Sequence, residues 1–248
     1  RIKSELDFLT DGTLLKIMPS RIRLLGKPWT INPENRITIR GTEIDFQQLE
    51  LTNDGRSMII EGRLSEKDYG ADLRVGLKNL TMDLINSLIS EQLDGKLNGE
   101  VRIRDPYGNT SFQNNFRIEG FSVNGFLVGN LEGTNNWDPE QDAFVISFLV
   151  ERMQSRTIDL NGLFVPDDVE NPLRLTARFN QTQVKTFEPL VKDLFSNLGG
   201  TFSGLLDIGG TLARPDIEGE LELSEALMTV NYLNTAYRAN GVVGVTRQ

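Results

Sequence analysis

From Pro215 the chain reads PDIEGELEL, a pattern that leaves little conformational freedom. Ile217, Leu221 and Leu223 fall on one side of an extended segment, with Gly219 in line. Asp216, Glu218, Glu220 and Glu222 fall on the other. Successive strand side chains point to opposite faces, so this is a strand with one dry face and one anionic, wet face. The alternation recurs. Ile37 and Ile39 alternate with Arg36, Thr38 and Arg40, and Ile44 and Phe46 with Glu43, Asp45 and Gln47. The runs 100–104, 115–120 and 173–179 read the same way. Turn-forming NDG (53–55), DPYGN (105–109) and PDD (166–168) separate such segments. The phase slips at Gly120–Phe121 and near Ser224–Glu225, where a β-bulge would re-aim the dry face. With 23 glycines, many inside strand-like runs, a strongly bent sheet is expected.

Two stretches leave the period of two. Leu77, Leu80, Leu84, Ile85, Leu88 and Ile89 recur at helical spacing. So do Phe187, Leu190, Val191, Leu194, Phe195 and Leu198, which end at Gly199–Gly200. Each is expected to be a short amphipathic helix lying on the sheet. Neither carries the basic polar face that interfacial membrane helices favour.

The two halves of the chain also match. Gly62 and Gly162 are each followed eleven residues later by Leu-Arg, at Leu73–Arg74 and Leu173–Arg174. Each pair leads into a strand, one of the helical stretches, and then GKLNG (95–99) or GTFSG (200–204). WTINPE (29–34) echoes WDPE (137–140). A unit of about 100 residues therefore occurs twice, as expected of stacked repeats. It divides the chain into lead-in strands of a preceding repeat (1–28), a first repeat (29–136) and a second (137–248). The chain opens on RIKSELDF without Met and reads as an excised or processed piece of something longer.

Composition narrows the chemistry. A net charge of −9 without any basic run disfavours nucleic acid as a partner. The absence of Cys and His removes thiolate nucleophiles, disulfides and the commonest general base and metal ligand. No apolar run approaches the roughly 20 residues that span a bilayer. The acidic groups Asp138, Glu140, Asp142 and Asp167, Asp168, Glu170 lack the ligand spacing of a calcium loop and read as solvated turns. Tandem glycines lack the Lys-Ser/Thr of a phosphate loop. Trp29 and Trp137 could stack on sugars, but their shared place in the repeat reads as a structural anchor. A carboxylate pair could serve glycoside hydrolysis, yet with 35 acidic residues some neighbouring pairs are inevitable. No catalytic constellation, metal site or cofactor site emerges.

The segment GGTFSGLLDIGGTLARPDIEGELELSEALMTV (199–230) resembles the recurring signature of the TamB family, relatives of AsmA among bridge-like lipid-transfer proteins. The signature falls on Gly210, Thr211, Leu212, Pro215, Ile217, Gly219 and Leu221. The earlier run PWTINPENRITIRGTEIDFQQLELTNDGRSMIIEGRLSE resembles the Bacteroidetes form of these repeats, and the similarity extends from about residue 20 to about 237. At the corresponding place the first repeat has RDPYGNTSFQNNF, so the glycine–proline signature is clear only once. The resemblance implies an elongated, U-shaped β-groove that carries phospholipid between inner and outer membranes, and a link to outer-membrane protein assembly. It also implies a periplasmic location, an inner-membrane anchor absent here, neighbouring repeats of the same longer chain, and a BamA-like outer-membrane partner.

The resulting expectation is a non-enzymatic, mostly β segment with two short helices and a groove lined by Ile37, Ile39, Ile44, Phe46, Leu173, Leu175, Ile217, Leu221 and Leu223. Phospholipid acyl chains would be its partners. The competing expectation is a β-repeat scaffold or spacer whose dry faces are packed against one another, with no conduit.

Overall fold

The computed structural model describes residues 3–24, 26–68, 70–82, 86, 92–108, 110–152, 155–211 and 214–246. The described residues are mostly β, with 17 strands that pair antiparallel wherever a pairing is described. Two compact units divide it: residues 1–125 with 134–137, and residues 126–133 with 138–248.

The first unit holds β1 (Ser4–Phe8), β2 (Thr13–Ile17), β3 (Arg21–Leu24), β4 (Lys27–Ile31), β5 (Arg36–Arg40), β6 (Glu43–Asn53), β7 (Arg56–Leu64), β8 (Asp72–Thr81), β9 (Leu93–Arg104) and β10 (Ser111–Val123). From β5 to β10 each strand pairs with its successor, and β2 pairs with both β1 and β5. β4 and β5 share one edge of β6: Ile31 pairs with Leu51, and Ile37 with Phe46. In the link between them the fully buried Asn35 extends the β2–β5 pairing by one step with its side chain. Its Oδ1 accepts from the Ile17 N–H at 2.8 Å, and its Nδ2 donates to the Ile17 carbonyl at 2.7 Å. A buried amide is stable only when so satisfied.

The core of this unit is a cluster of Trp29, Ile31, Ile37, Leu49, Leu51 and Leu80, with Ile22, Leu24, Phe46, Leu77 and Leu97 packed against it. Trp29 is wholly buried. One row of this face runs Leu15–Ile37–Phe46–Gly62–Leu73–Ile103–Phe112 across seven strands.

β11 (Phe126–Asp138) contributes residues 126–133 and 138 to the second unit and 134–137 to the first. The second unit continues with β12 (Ala143–Arg152), β13 (Ser155–Phe164), β14 (Leu173–Gln183), a single helical turn α1 (Glu188–Val191), β15 (Phe195–Gly210), β16 (Pro215–Val230) and β17 (Thr235–Val245). Consecutive strands from β12 to β17 pair antiparallel.

One device recurs in both units. In four strand pairs the register jumps by a residue immediately after an apolar residue that faces a glycine. The facing pairs are Phe46 and Gly62, Leu77 and Gly99, Phe179 and Gly204, and Leu223 and Gly241. The inserted residue is left-handed each time: Gln48 (φ 51°), Asn79 (φ 52°), Gln181 (φ 44°) and Glu225 (φ 49°). A bulge frees a backbone N–H from the ladder. In three cases the strand opposite takes it with a side chain. Asn79 N–H donates to Asn98 Oδ1 at 2.9 Å, Gln181 N–H to Ser203 Oγ at 2.8 Å, and Glu225 N–H to Asn240 Oδ1 at 2.6 Å. Such a bond offsets part of the cost of a left-handed non-glycine residue.

These bulges also account for the helical spacing at the described ends of the two expected amphipathic helices, which are strand rather than helix. An inserted residue turns same-face neighbours from i, i+2 into i, i+3, which imitates helical spacing. Leu77 and Leu80 both belong to β8, on either side of the Asn79 bulge. Leu84, Ile85, Leu88 and Ile89 lie outside the described residues. Phe195 and Leu198 belong to β15, separated by left-handed Asn197 (φ 54°). What remains of the second helix is a 3-10 turn over Val184–Phe187 followed by the four residues of α1. The slips expected at Gly120–Phe121 and Ser224–Glu225 do coincide with register shifts.

Candidate functional site

Residues directly opposite in an antiparallel pair share a face, so the registers of β12–β17 define what each face of the second unit presents. One row runs Ile146–Gly162–Leu175–Ile208–Ile217. The next runs Phe148–Leu160–Ala177–Leu206–Gly219–Val245, and a third Val150–Ile158–Phe179–Gly204–Leu221–Val243. Phe144, Phe164 and Leu173 head the face at one end, and Phe202 opposite Leu223 continues it beyond the bulge. These rows are apolar, and Thr182 joins the face opposite Phe202. Its burial falls toward β17: Leu175 is 9% exposed, Ile217 37% and Val243 46%.

The opposite face is more polar, although Val145, Leu149, Leu163 and Leu205 also lie on it. Ser147, Asn161, Thr176, Asp207 and Glu218 form a row, in which Ser147 Oγ lies 2.8 Å from Asn161 Oδ1 and Thr176 Oγ1 donates to Asp207 at 2.7 Å. A cleft of about 520 Å³ opens along β14–β16, lined by Arg174, Thr176, Asp207 and Glu218 together with Leu173 and Ile217. Its walls mix charge and hydrocarbon. Near one end of the apolar face the Phe187 ring meets Phe126 at 5.9 Å and Phe202 at 5.6 Å, and Phe202 meets Phe179 at 5.2 Å.

The nine residues expected to line a groove fall into two groups. Leu173, Leu175, Ile217, Leu221 and Leu223 share the apolar face of the second unit. In the first unit Ile37 pairs with Phe46 and Ile39 with Ile44. There Ile37 is buried in the Trp29 cluster, Ile44 and Phe46 pack against it, and Ile39 is exposed. Sequence reasoning passed over Phe144, Ile146, Phe148, Leu160 and Leu206. Phe144–Val150 is apolar at all but one position, so alternation alone does not reveal its inward side.

The glycine–proline signature builds the β15–β16 hairpin. Gly210, at φ 71°, donates its N–H to Asn171 Oδ1 at 3.2 Å and pairs with Pro215. Thr211 Oγ1 accepts from the Arg214 N–H at 3.1 Å. Leu212 lies outside the described residues. Ile217, Gly219 and Leu221 then enter the apolar face as successive inward positions.

The acidic turns are satisfied by nearby backbone N–H groups and side chains. Asp138 accepts from Gln141 Nε2 and from the Glu140 N–H, which together hold its carboxyl below the usual range. Asp168 is lowered first by the Asn171 N–H and then by Arg174 at 3.0 Å. A carboxylate depressed in the folded state contributes stability above its ordinary pKa of 3.8 and loses it as pH falls through the folded value. We therefore expect Asp168 to titrate below 3.8 in a carboxyl NMR titration. Arg174→Met should recover only part of the shift, because the Asn171 N–H remains. Full recovery would remove the backbone contribution.

Comparison with family models, with curated proteins and with solved structures finds no match for the chain.

Proposed function

We propose that this chain is a lipid-conducting segment of a TamB-like periplasmic protein, with the apolar face of its second unit as the lipid-bearing surface. The carrying observation is the set of unbroken apolar rows across β12–β17, which become more exposed toward β17. Six strands at about 4.8 Å spacing give a lane about 24 Å wide, comparable with an extended acyl chain. Each methylene withdrawn from water contributes about 0.8 kcal/mol. Because neighbouring rows offer similar hydrocarbon, an acyl chain has little preference for one position and can slide. The polar face, with Asp216, Glu218, Glu220 and Glu222, keeps the sheet hydrated on its other side. The inner-membrane anchor, the BamA-like partner and a contribution to outer-membrane protein assembly belong to this reading through the sequence resemblance.

A scaffold role is the second reading, and the Trp29 cluster favours it. Three residues expected to line a groove, Ile37, Ile44 and Phe46, are engaged there in protein packing. Native mass spectrometry of the 248-residue chain separates the two readings. The conduit predicts co-purifying phospholipid whose occupancy falls at least about fivefold in the double variant Ile217→Lys, Leu221→Lys, with circular dichroism unchanged. Ile217 is partly exposed and Leu221 half-buried, so charge is tolerated there better than at Leu175. Lipid-free parent protein, or equal occupancy in the folded variant, leaves the scaffold.

A further inference from the structure

Between β14 and β15 the chain leaves the sheet. The 3-10 turn over Val184–Phe187 and the four residues of α1 intervene, and Pro189, in the first turn of α1, has no N–H to give a strand ladder. So short a helix has little stability of its own, and neither piece carries a side-chain cap. Two contacts hold it down. The Phe187 ring lies between Phe126, at the start of β11, and Phe202 of β15, and Glu188 Oε2 accepts the Leu198 N–H at 2.8 Å. β11 lies beside β12, where Gly129 meets the Glu151 backbone and Arg152 Nη1 donates to the Leu127 carbonyl at 2.8 Å. Phe126 and Phe202 therefore sit on strands four places apart, about 19 Å along the sheet. The three rings run across the strands, as the apolar rows do.

The Glu188 bond is also unlike the other bulge fastenings. The β15–β16 register shifts after Ser196, at left-handed Asn197, and the Leu198 N–H is turned out of the ladder. At Asn79, Gln181 and Glu225 the acceptor comes from the paired strand; here it comes from the turn. The fastening of this bulge thus depends on the turn being down. The β14–β15 ladder ends at Gln183 and Thr201, so lifting the turn leaves that ladder intact.

We infer that residues 184–191 form a lid on the apolar lane, with Phe187 holding the place of an acyl chain until lipid displaces it. This rests on the lipid-bearing reading of that face. A phenyl ring and a hydrocarbon chain offer Phe126 and Phe202 similar apolar contact, so exchanging one for the other leaves little surface newly wet. Lifting the lid is a local opening, separate from unfolding of the sheet.

The test uses the 248-residue chain, isotopically labelled, with myristoyl lysophosphatidylcholine below its micelle concentration as the probe. Without probe, the Leu198 amide should exchange at least about tenfold faster than the slowest amides of β15. Bound lysolipid should speed that exchange and shift the Phe187 ring resonances. Phe187→Ala removes the ring, and Glu188→Ala releases the fastening while keeping the ring. Each should bind the probe about threefold more tightly, because less of the protein is held in the closed state. A Leu198 amide that exchanges only with global unfolding overturns the lid. So does a Phe187 ring unmoved by bound lysolipid, or binding by the folded variants no tighter than the parent's. Should neither parent nor variants bind lysolipid, the lipid-bearing reading fails and the lid with it; the other outcomes sink the lid alone.

Discussion

Replacing Trp29 by alanine is expected to cost about 3–5 kcal/mol of stability in the first unit, the range typical of large buried aromatics. Trp29 is wholly buried, and the cluster around it draws on β4, β5, β6 and β8. Its indole Nε1 has no hydrogen-bond partner, so its contribution is packing rather than polar bonding. Removing the ring leaves a void that a single sheet layer cannot easily refill, because the neighbouring strands are held by their ladders. Trp29→Phe keeps most of the contact area and should cost much less. Urea denaturation should show a lower midpoint at unchanged slope. A loss under about 1 kcal/mol would mean that the ring is not the centre of that core.

Gly162→Ala should cost roughly 3 kcal/mol in the second unit, for two independent reasons. Its φ of 148° is a conformation that alanine adopts only with strain. An added Cβ would also overlap the Arg174 carbonyl and crowd the Leu175 Cα, backbone atoms that cannot swing aside. Gly62 occupies the same situation in the first unit against the Asp72 carbonyl. Gly244→Ala is the internal control, because no atom lies within 4 Å of its added Cβ. Thermal unfolding should separate them, with Gly162→Ala clearly lowered and Gly244→Ala close to the parent. Equal behaviour would show that crowding at Gly162 is relieved by movement of β14.

The strands were legible because alternation is a local signal. PDIEGELEL specifies its own two faces, and the phase slips at Gly120 and Ser224–Glu225 mark two bulges before any fold is known. The helices misled for a related reason. Leu77 with Leu80, and Phe195 with Leu198, are three residues apart because a left-handed residue intervenes, and a short window cannot distinguish that from a helical turn. Apolar faces were legible as faces, but their use was not. Whether Ile37 fills a core and Ile217 stays partly wet depends on where the β3–β4 hairpin lands and on Asn35 tying the β4–β5 link to β2. Those are contacts between distant residues, and spacing along one strand carries no trace of them.

Each of these bulges, with its facing glycine and in three cases a side-chain acceptor, involves only two adjacent strands. Pairing is therefore checked locally at several places rather than once for the entire sheet. A slip between one pair would break its own fastening without shifting the next. A sheet lengthened by duplicating such pairs could grow without accumulating misalignment, each new strand finding its place from its immediate neighbour alone.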